Sequence, residues 1–215
     1  MPQTPPVHSK PDGRRLRGDR TRQAVLAQAI AIAASDGLEG LTFGRVAQAA
    51  GVPKSTLQAL FKDREALQLQ TLSTAADAFA IRIHERLPAA ASAFGRFKAL
   101  CDAWFELVAD GALPGGCLVT ATTAEYRARP GALLALAAKH RDRWRTALYG
   151  AARKAQHDGA LRAEVDIDQL VFEILAFQAA ANLKAGQADA VELRRARLAV
   201  NALVERARHT DDGAG

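Results

Sequence analysis

Apolar residues recur at three- and four-residue spacing along most of this chain, while alternation with period two is nearly missing, so the pattern predicts helices rather than strands. From Thr21 to Ser35 the stripe is Val25, Leu26, Ala29, Ile32 and Ala33, with Gly37 where a C-terminal cap belongs. Leu38, Leu41 and Phe43 follow through a short turn and are expected to bury beneath that first helix. Two short patterns, about Phe43 to Ala50 and Pro53 to Phe61, then flank Gly51-Val52. Val46, Ala47 and Ala50 on one side can close against Val52, Leu57 and Leu60 on the other, which is the layout of a helix-turn-helix. Thr42 can cap the first of these helices through its hydroxyl. Gly51 stands where the turn needs a positive φ. Ala47 is small at the point where the helices cross, and Pro53 is tolerated in a first turn because its missing N–H would be unpaired anyway.

Longer patterns follow: about Arg64 to Leu87, stopped by Pro88; Ala91 to Ala109, with Phe94, Phe97, Leu100, Trp104 and Leu107 on one stripe; Cys117 to Arg127; Ala132 to His157; Ile167 to Ala185; and Asp189 to Arg208. The segment Asp110 to Gly116 reads as a loop. The expected fold is therefore all-α, about nine helices, with three short ones in front of a bundle of about six. The expected divisions are a disordered basic arm at 1–18, a helix-turn-helix domain at 19–65, a larger helical domain at 66–209 and a disordered tail at 210–215.

Composition agrees, since alanine, leucine and arginine dominate and aromatic residues make up only 6%. Charge adds something new. Of a net charge of +6, most lies between Met1 and Arg64, which hold ten basic residues against five acidic ones and leave the rest nearly neutral. A surplus of positive charge on the region that carries the motif points to a polyanion as partner. Arg14 to Arg17 read either as an arm lying along DNA or as an ordinary solvated tail. Two cysteines, Cys101 and Cys117, make neither a disulfide framework nor a metal site, and with prolines in place of an apolar signal core the chain is expected to work in the cytosol. No apolar run reaches membrane-spanning length. His84, His140 and His157 have no ligand spacing, no cofactor is expected, and no protease, phosphate-loop, dinucleotide or G-x-S-x-G motif occurs, so an enzyme is not expected.

The run TRQAVLAQAIAIAASDGLEGLTFGRVAQAAGVPKSTLQALFKDREAL, Thr21 to Leu67, resembles the DNA-binding domain of the tetracycline-repressor (TetR) family of bacterial transcriptional regulators along its whole length. GGCLVTATTAEYRARPG, Gly115 to Gly131, is similar to a segment of one branch of that family. The resemblance implies a homodimer that sets the third helix of each subunit in the major groove and is released by a small molecule in the larger domain. It places Thr42 and Arg45 near phosphates, Lys54, Ser55 and Thr56 in the recognition helix, and Lys62 and Arg64 on the backbone after it. Gln58 stands where the family usually has a tyrosine and Leu60 where histidine or tyrosine is common. Gln58 either reads adenine through a bidentate pair or is a solvated helix residue; Leu60 is expected to complete the motif's core.

In the larger domain, IDQLVFEILAFQAAANL is apolar on more than one face. It suggests either a helix buried in one subunit or, with the last helix, a four-helix dimer interface using Leu170, Ile174, Phe177, Leu198 and Leu203. Phe79, Ile83, Trp104, Phe105, Tyr126, Trp144 and Phe172 are candidates to line a pocket for a mainly apolar effector, with Thr120, Thr123 and Asn182 as its polar groups; core packing is the alternative for each. Cys101 and Cys117 are either sensing thiols or inert packing. The functional expectation is a repressor that binds a palindromic operator in double-stranded DNA. Against it stand a helical ligand-binding or catalytic protein that keeps the motif only as a packing unit, and an architectural protein that coats DNA.

Overall fold

The computed structural model describes residues 13–89, 92–111, 113, 115–183, 185 and 191–208. Nine α-helices occur among them: α1 (Gly13–Asp36), α2 (Phe43–Ala50), α3 (Lys54–Leu60), α4 (Arg64–Arg86), α5 (Ala93–Ala109), α6 (Leu118–Glu125), α7 (Ala132–His157), α8 (Ile167–Asn182) and α9 (Val191–Ala207). A 3-10 turn, Leu38–Gly40, joins α1 to α2. The only strand-like pairing among the described residues is one bridge between Leu161 and Arg208. No helix among them is long and apolar enough to cross a membrane.

One boundary moves. α1 begins at Gly13, so Arg14 to Arg17, expected in an unstructured arm, are helical. Arginine and leucine are good helix formers, and the single interior glycine, Gly18, costs only about 1 kcal/mol against alanine, too little to stop the helix. The Thr21 hydroxyl, bonded to the Arg17 carbonyl at 3.0 Å, lies inside that helix. The expectations for residues 1–12 and for the tail from 209 lie outside the described residues.

Two hydrophobic cores organise the chain. The first gathers Val25, Leu26, Ala29, Leu38, Leu41, Val46, Ala47, Leu57, Phe61, Leu67 and Leu72, and extends into the larger domain through Leu118, Tyr126, Leu133 and Ala137. Leu60 packs against it, half-buried. The helix-turn-helix is thus not an appendage, because α4, α6 and the start of α7 complete its core. The second core runs from Ile83 through α5 and the end of α7 to α8 and α9, around Phe97, Trp104, Phe105, Leu107, Leu148 and Ile174.

α8 is not apolar on two equivalent faces. Leu170 and Ile174 are buried in the subunit's own core, at 5% and 0% exposure, and so are not available to a partner surface. Phe172 is 64% exposed, on the outside of α8 and away from any pocket. The outward apolar groups are Phe172, Phe177 and Leu183 from α8 and the turn after it, with Leu198 from α9. Leu203 is half-buried against the second core.

Candidate functional site: a nucleic-acid-reading motif and a cavity behind it

The motif is built by local rules. Thr42 accepts the Arg45 backbone N–H at 3.2 Å, capping α2, which ends at Gly51 in the left-handed region (φ 63°). The Val52 N–H returns to the Ala47 carbonyl at 3.0 Å, and this tight reversal lets α3 cross over Ala47. Buried Leu57 pins α3 inward. Lys54, Ser55 and Gln58 are left exposed on the opposite side, Thr56 is partly covered, and Lys62 is exposed just beyond. Asp63 then caps α4 by accepting the Ala66 N–H at 2.8 Å. A short helix with hydroxyls and a lysine at its exposed N-terminal end suits phosphates and base edges.

The two arginines expected on DNA are engaged within the fold. Arg64 Nε donates to the Leu41 carbonyl at 2.8 Å, and its Nη2 donates to the Glu39 carbonyl and carboxylate at 2.5 and 2.9 Å. It ties α4 to the 3-10 turn, although close to half of its side chain stays exposed. Arg45 pairs with Asp36 and with the Gly40 carbonyl, although about half of its side chain stays exposed.

The 3-10 turn is where the first core reaches into the larger domain. Glu125, at the end of α6, accepts the Leu38 and Glu39 backbone N–H groups at 3.0 Å each, completing donors that a helix start leaves unpaired. Gly37 has φ 71°, and a Cβ there would lie 2.7 Å from the Glu125 carboxylate, so only glycine admits this approach. The Tyr126 hydroxyl donates to Glu39 at 2.6 Å, and Arg129 reaches the same carboxylate at 3.2 Å. The bond from Tyr126, with Arg64 and Arg129 nearby, holds the Glu39 carboxyl below the usual glutamate range. Burial and the Glu39 charge push the Tyr126 phenol up. Tyr126 therefore belongs to this junction and not to a pocket.

Behind the junction lies a cavity of about 960 Å³ between α4, α5, α6, α7 and α8. Phe79, Ile83, Trp104, Thr120, Thr123, Trp144 and Asn182 line it. Phe105 does not: it stacks edge-on against Trp104 (5.1 Å between centroids) inside the core. Phe79 meets Trp144 edge-on at 5.3 Å. Two of the expected polar groups are already engaged, Thr123 with the Val119 carbonyl at 2.9 Å and Asn182 in both directions with the Cys117 backbone, at 2.6 and 3.2 Å. Asn182 thus fixes the start of α6.

Two polar residues of the wall escaped the sequence reading. Gln178 accepts the Trp144 indole N–H at 3.0 Å, which leaves its own Nε2 without a protein partner. On α7, His140 lies one turn from Trp144, and its Nδ1 faces an Arg143 nitrogen at 3.5 Å. Arginine only donates, so Nδ1 accepts and Nε2 carries the hydrogen; that N–H also lacks a protein partner. Burial, aided by the Arg143 charge, holds the imidazole below its ordinary pKa and keeps it neutral at pH 7. The signals were a glutamine within an apolar helix pattern and a histidine four residues before a tryptophan; the sequence offered His140 only as a metal ligand without ligand spacing. Cys101 is buried and its thiol is pushed up by burial, which leaves it inert, while half-buried Cys117 lines the cavity. Among the described residues no group of histidine, cysteine and acidic side chains could hold a metal.

A family model described as "Tetracyclin repressor-like, C-terminal domain" matches residues 93–200, half of the chain. The chain belongs to the TetR family of transcriptional regulators, a family of regulators and not of enzymes. No curated protein is similar enough to match it. Among solved structures it resembles a TetR regulator from Chloroflexus aurantiacus J-10-FL (24% identity, 90% of this chain and 98% of that one, TM-score 0.82). It also resembles one from Cytophaga hutchinsonii (19%, 91% and 98%, TM-score 0.79) and a transcriptional regulator from Saccharomonospora viridis in complex with choline (18%, 88% and 98%, TM-score 0.74). At these identities the likeness shows the fold alone.

Proposed function

We propose that this chain is a homodimeric repressor that binds a palindromic operator through α3 and is released when a small molecule occupies the cavity. One observation carries the coupling. α6 contributes Thr120, Thr123 and Ala124 to the cavity, and its last residue, Glu125, holds the turn that leads into the DNA-reading helices. A ligand that shifts α6 must strain or free that turn. It acts to the extent that it prefers one arrangement over the other, and a five- to 150-fold preference, about 1–3 kcal/mol, is enough.

Exposed Phe172, Leu183 and Leu198 support the dimer, since large apolar groups left exposed on two helices that pack together suit an interaction surface. Two motifs one helical turn apart on DNA also match a palindrome. Choline does not carry over from the S. viridis regulator, because fold alone does not set ligand chemistry.

DNA binding is tested by selecting duplexes from a random pool and measuring affinity across salt. A palindromic consensus is expected. Lys54→Ala should lower the log–log salt slope by about one, and Lys62→Ala likewise, whereas Arg64→Ala should leave the slope unchanged. Equal affinity for selected and random DNA would make the protein an architectural coat, and no binding at any salt would leave the motif as a packing unit.

A further inference from the structure

We infer that the cavity takes an apolar molecule ending in an anionic acceptor group, a carboxylate, and that the carboxylate is bound between α7 and α8. This rests on the effector-binding reading above and narrows it. The walls are mainly apolar and aromatic, so the body of the ligand is apolar. The charged exceptions share one sign. Arg127, Arg141 and Arg143 line the cavity, and no aspartate or glutamate does among the described residues. Arg143 is partly offset by Asp77 at 3.5 Å. Neither Arg127 nor Arg141 has a carboxylate partner among the described residues.

The second observation is independent of charge. Gln178 is 3% exposed and His140 9%, yet each keeps an N–H without a protein acceptor. Both hydrogens are fixed by their neighbours: the Trp144 indole can only donate to Gln178, and the Arg143 guanidinium can only donate to His140. Buried donors of this kind are uncommon, because folding normally supplies acceptors. Both residues line the cavity, so an acceptor held against this wall can complete them. Trp144 links the two, bonded to Gln178 and one helical turn from His140. A carboxylate has two oxygens and accepts from both, with the neighbouring arginines supplying the opposite charge. A cation would need carboxylates there, and none lines the cavity among the described residues.

The test titrates the full chain by calorimetry with three probes of equal tail: decanoate, 1-decanol and decyltrimethylammonium. Decanoate should bind about tenfold or more tightly than decanol, with the ammonium weakest. Arg141→Gln, on the exposed side of α7, should cut decanoate affinity severalfold and leave decanol unchanged. Gln178→Glu keeps an acceptor for Trp144 but replaces the N–H donor with an oxygen, and should reverse the order so that the ammonium exceeds decanoate. Decanol or the ammonium binding the native chain as well as decanoate, or either variant keeping the full preference, overturns the anion assignment. If one of those other probes then releases DNA, the effector reading stands without it. Binding by none of the three overturns both.

Discussion

The two cores differ in where their buried polar groups find partners. Around the helix-turn-helix, Gln68 donates to the Leu38 carbonyl at 2.7 Å and Thr71 to the Leu67 carbonyl at 2.8 Å, while the Thr122 hydroxyl, on the α6 face between Leu118 and Tyr126 and away from the cavity, is the exception. Around the cavity, His140 and Gln178 each keep an N–H without a protein partner. The first core is closed and packed to specify one arrangement; the second leaves volume and donors in reserve. A buried donor without an acceptor costs about 1–3 kcal/mol, and a fold retains that cost where a bound group offsets it. The contrast separates the part of the molecule that must hold a fixed shape against DNA from the part that must respond.

The largest expected effect breaks the comparison at its packing. Phe61 is 1% exposed, lies under the Arg22 guanidinium at 5.3 Å and closes the motif's core. Phe61→Ala should cost about 3–5 kcal/mol, the range for removing a fully buried aromatic side chain. Phe79 is only half-buried and already faces open volume, so Phe79→Ala should cost about 1 kcal/mol, mostly its edge contact with Trp144. Urea denaturation of both variants measures the difference. Equal losses would mean that the cavity wall is as tightly determined as the motif.

The junction comes next. Glu125→Ala removes the acceptor of two backbone N–H groups, one of them on buried Leu38, and should destabilise the chain by about 1–3 kcal/mol. It should also weaken the communication between cavity and motif. DNA binding would persist, but the fold-change in affinity produced by a cavity ligand would shrink, as fluorescence anisotropy with and without the ligand would show. An undiminished ligand response in this variant would remove the turn from the coupling route.

Much of the first region was legible in the sequence because its rules are local. Thr42, Gly51, Pro53 and the Val46, Ala47 and Leu57 stripe each act within a few residues, so spacing alone placed them. The arginines show where that stops. Nothing near Arg64 in sequence shows that its donors turn back to Leu41 and Glu39, because those partners are supplied by a turn more than twenty residues earlier. Helix periodicity also predicted an apolar α8 without revealing which side faces in, so Ile174 and Phe172 were expected in each other's kind of surroundings. The junction was invisible for the same reason: Glu125 and Tyr126 meet Gly37 to Glu39 across 86 or 87 residues of chain. Gly37 was read as a helix cap, which it is, while its missing Cβ also admits a carboxylate from another domain.

The smallest effect tests the seam itself, through pH. The Tyr126 bond is the largest cause holding the Glu39 carboxyl below its ordinary value of 4.5, followed after burial by Arg64 and Arg129. A carboxyl with a depressed folded-state pKa contributes stability that is fully present above its unfolded value and is lost as pH falls through the folded one. Tyr126→Phe keeps the buried ring and removes only the donor. Because Glu39 is 42% exposed, solvent screening limits the loss at pH 7 to under about 1 kcal/mol. That gap should be constant from pH 7 down to about 5, narrow below 4.5 and close once Glu39 is protonated in the native chain. Denaturation curves for both proteins across this range read it directly. A gap that persists to pH 3 would assign the hydroxyl a packing role, and the polar link between the turn and the end of α6 would then rest on Glu125 and Arg129.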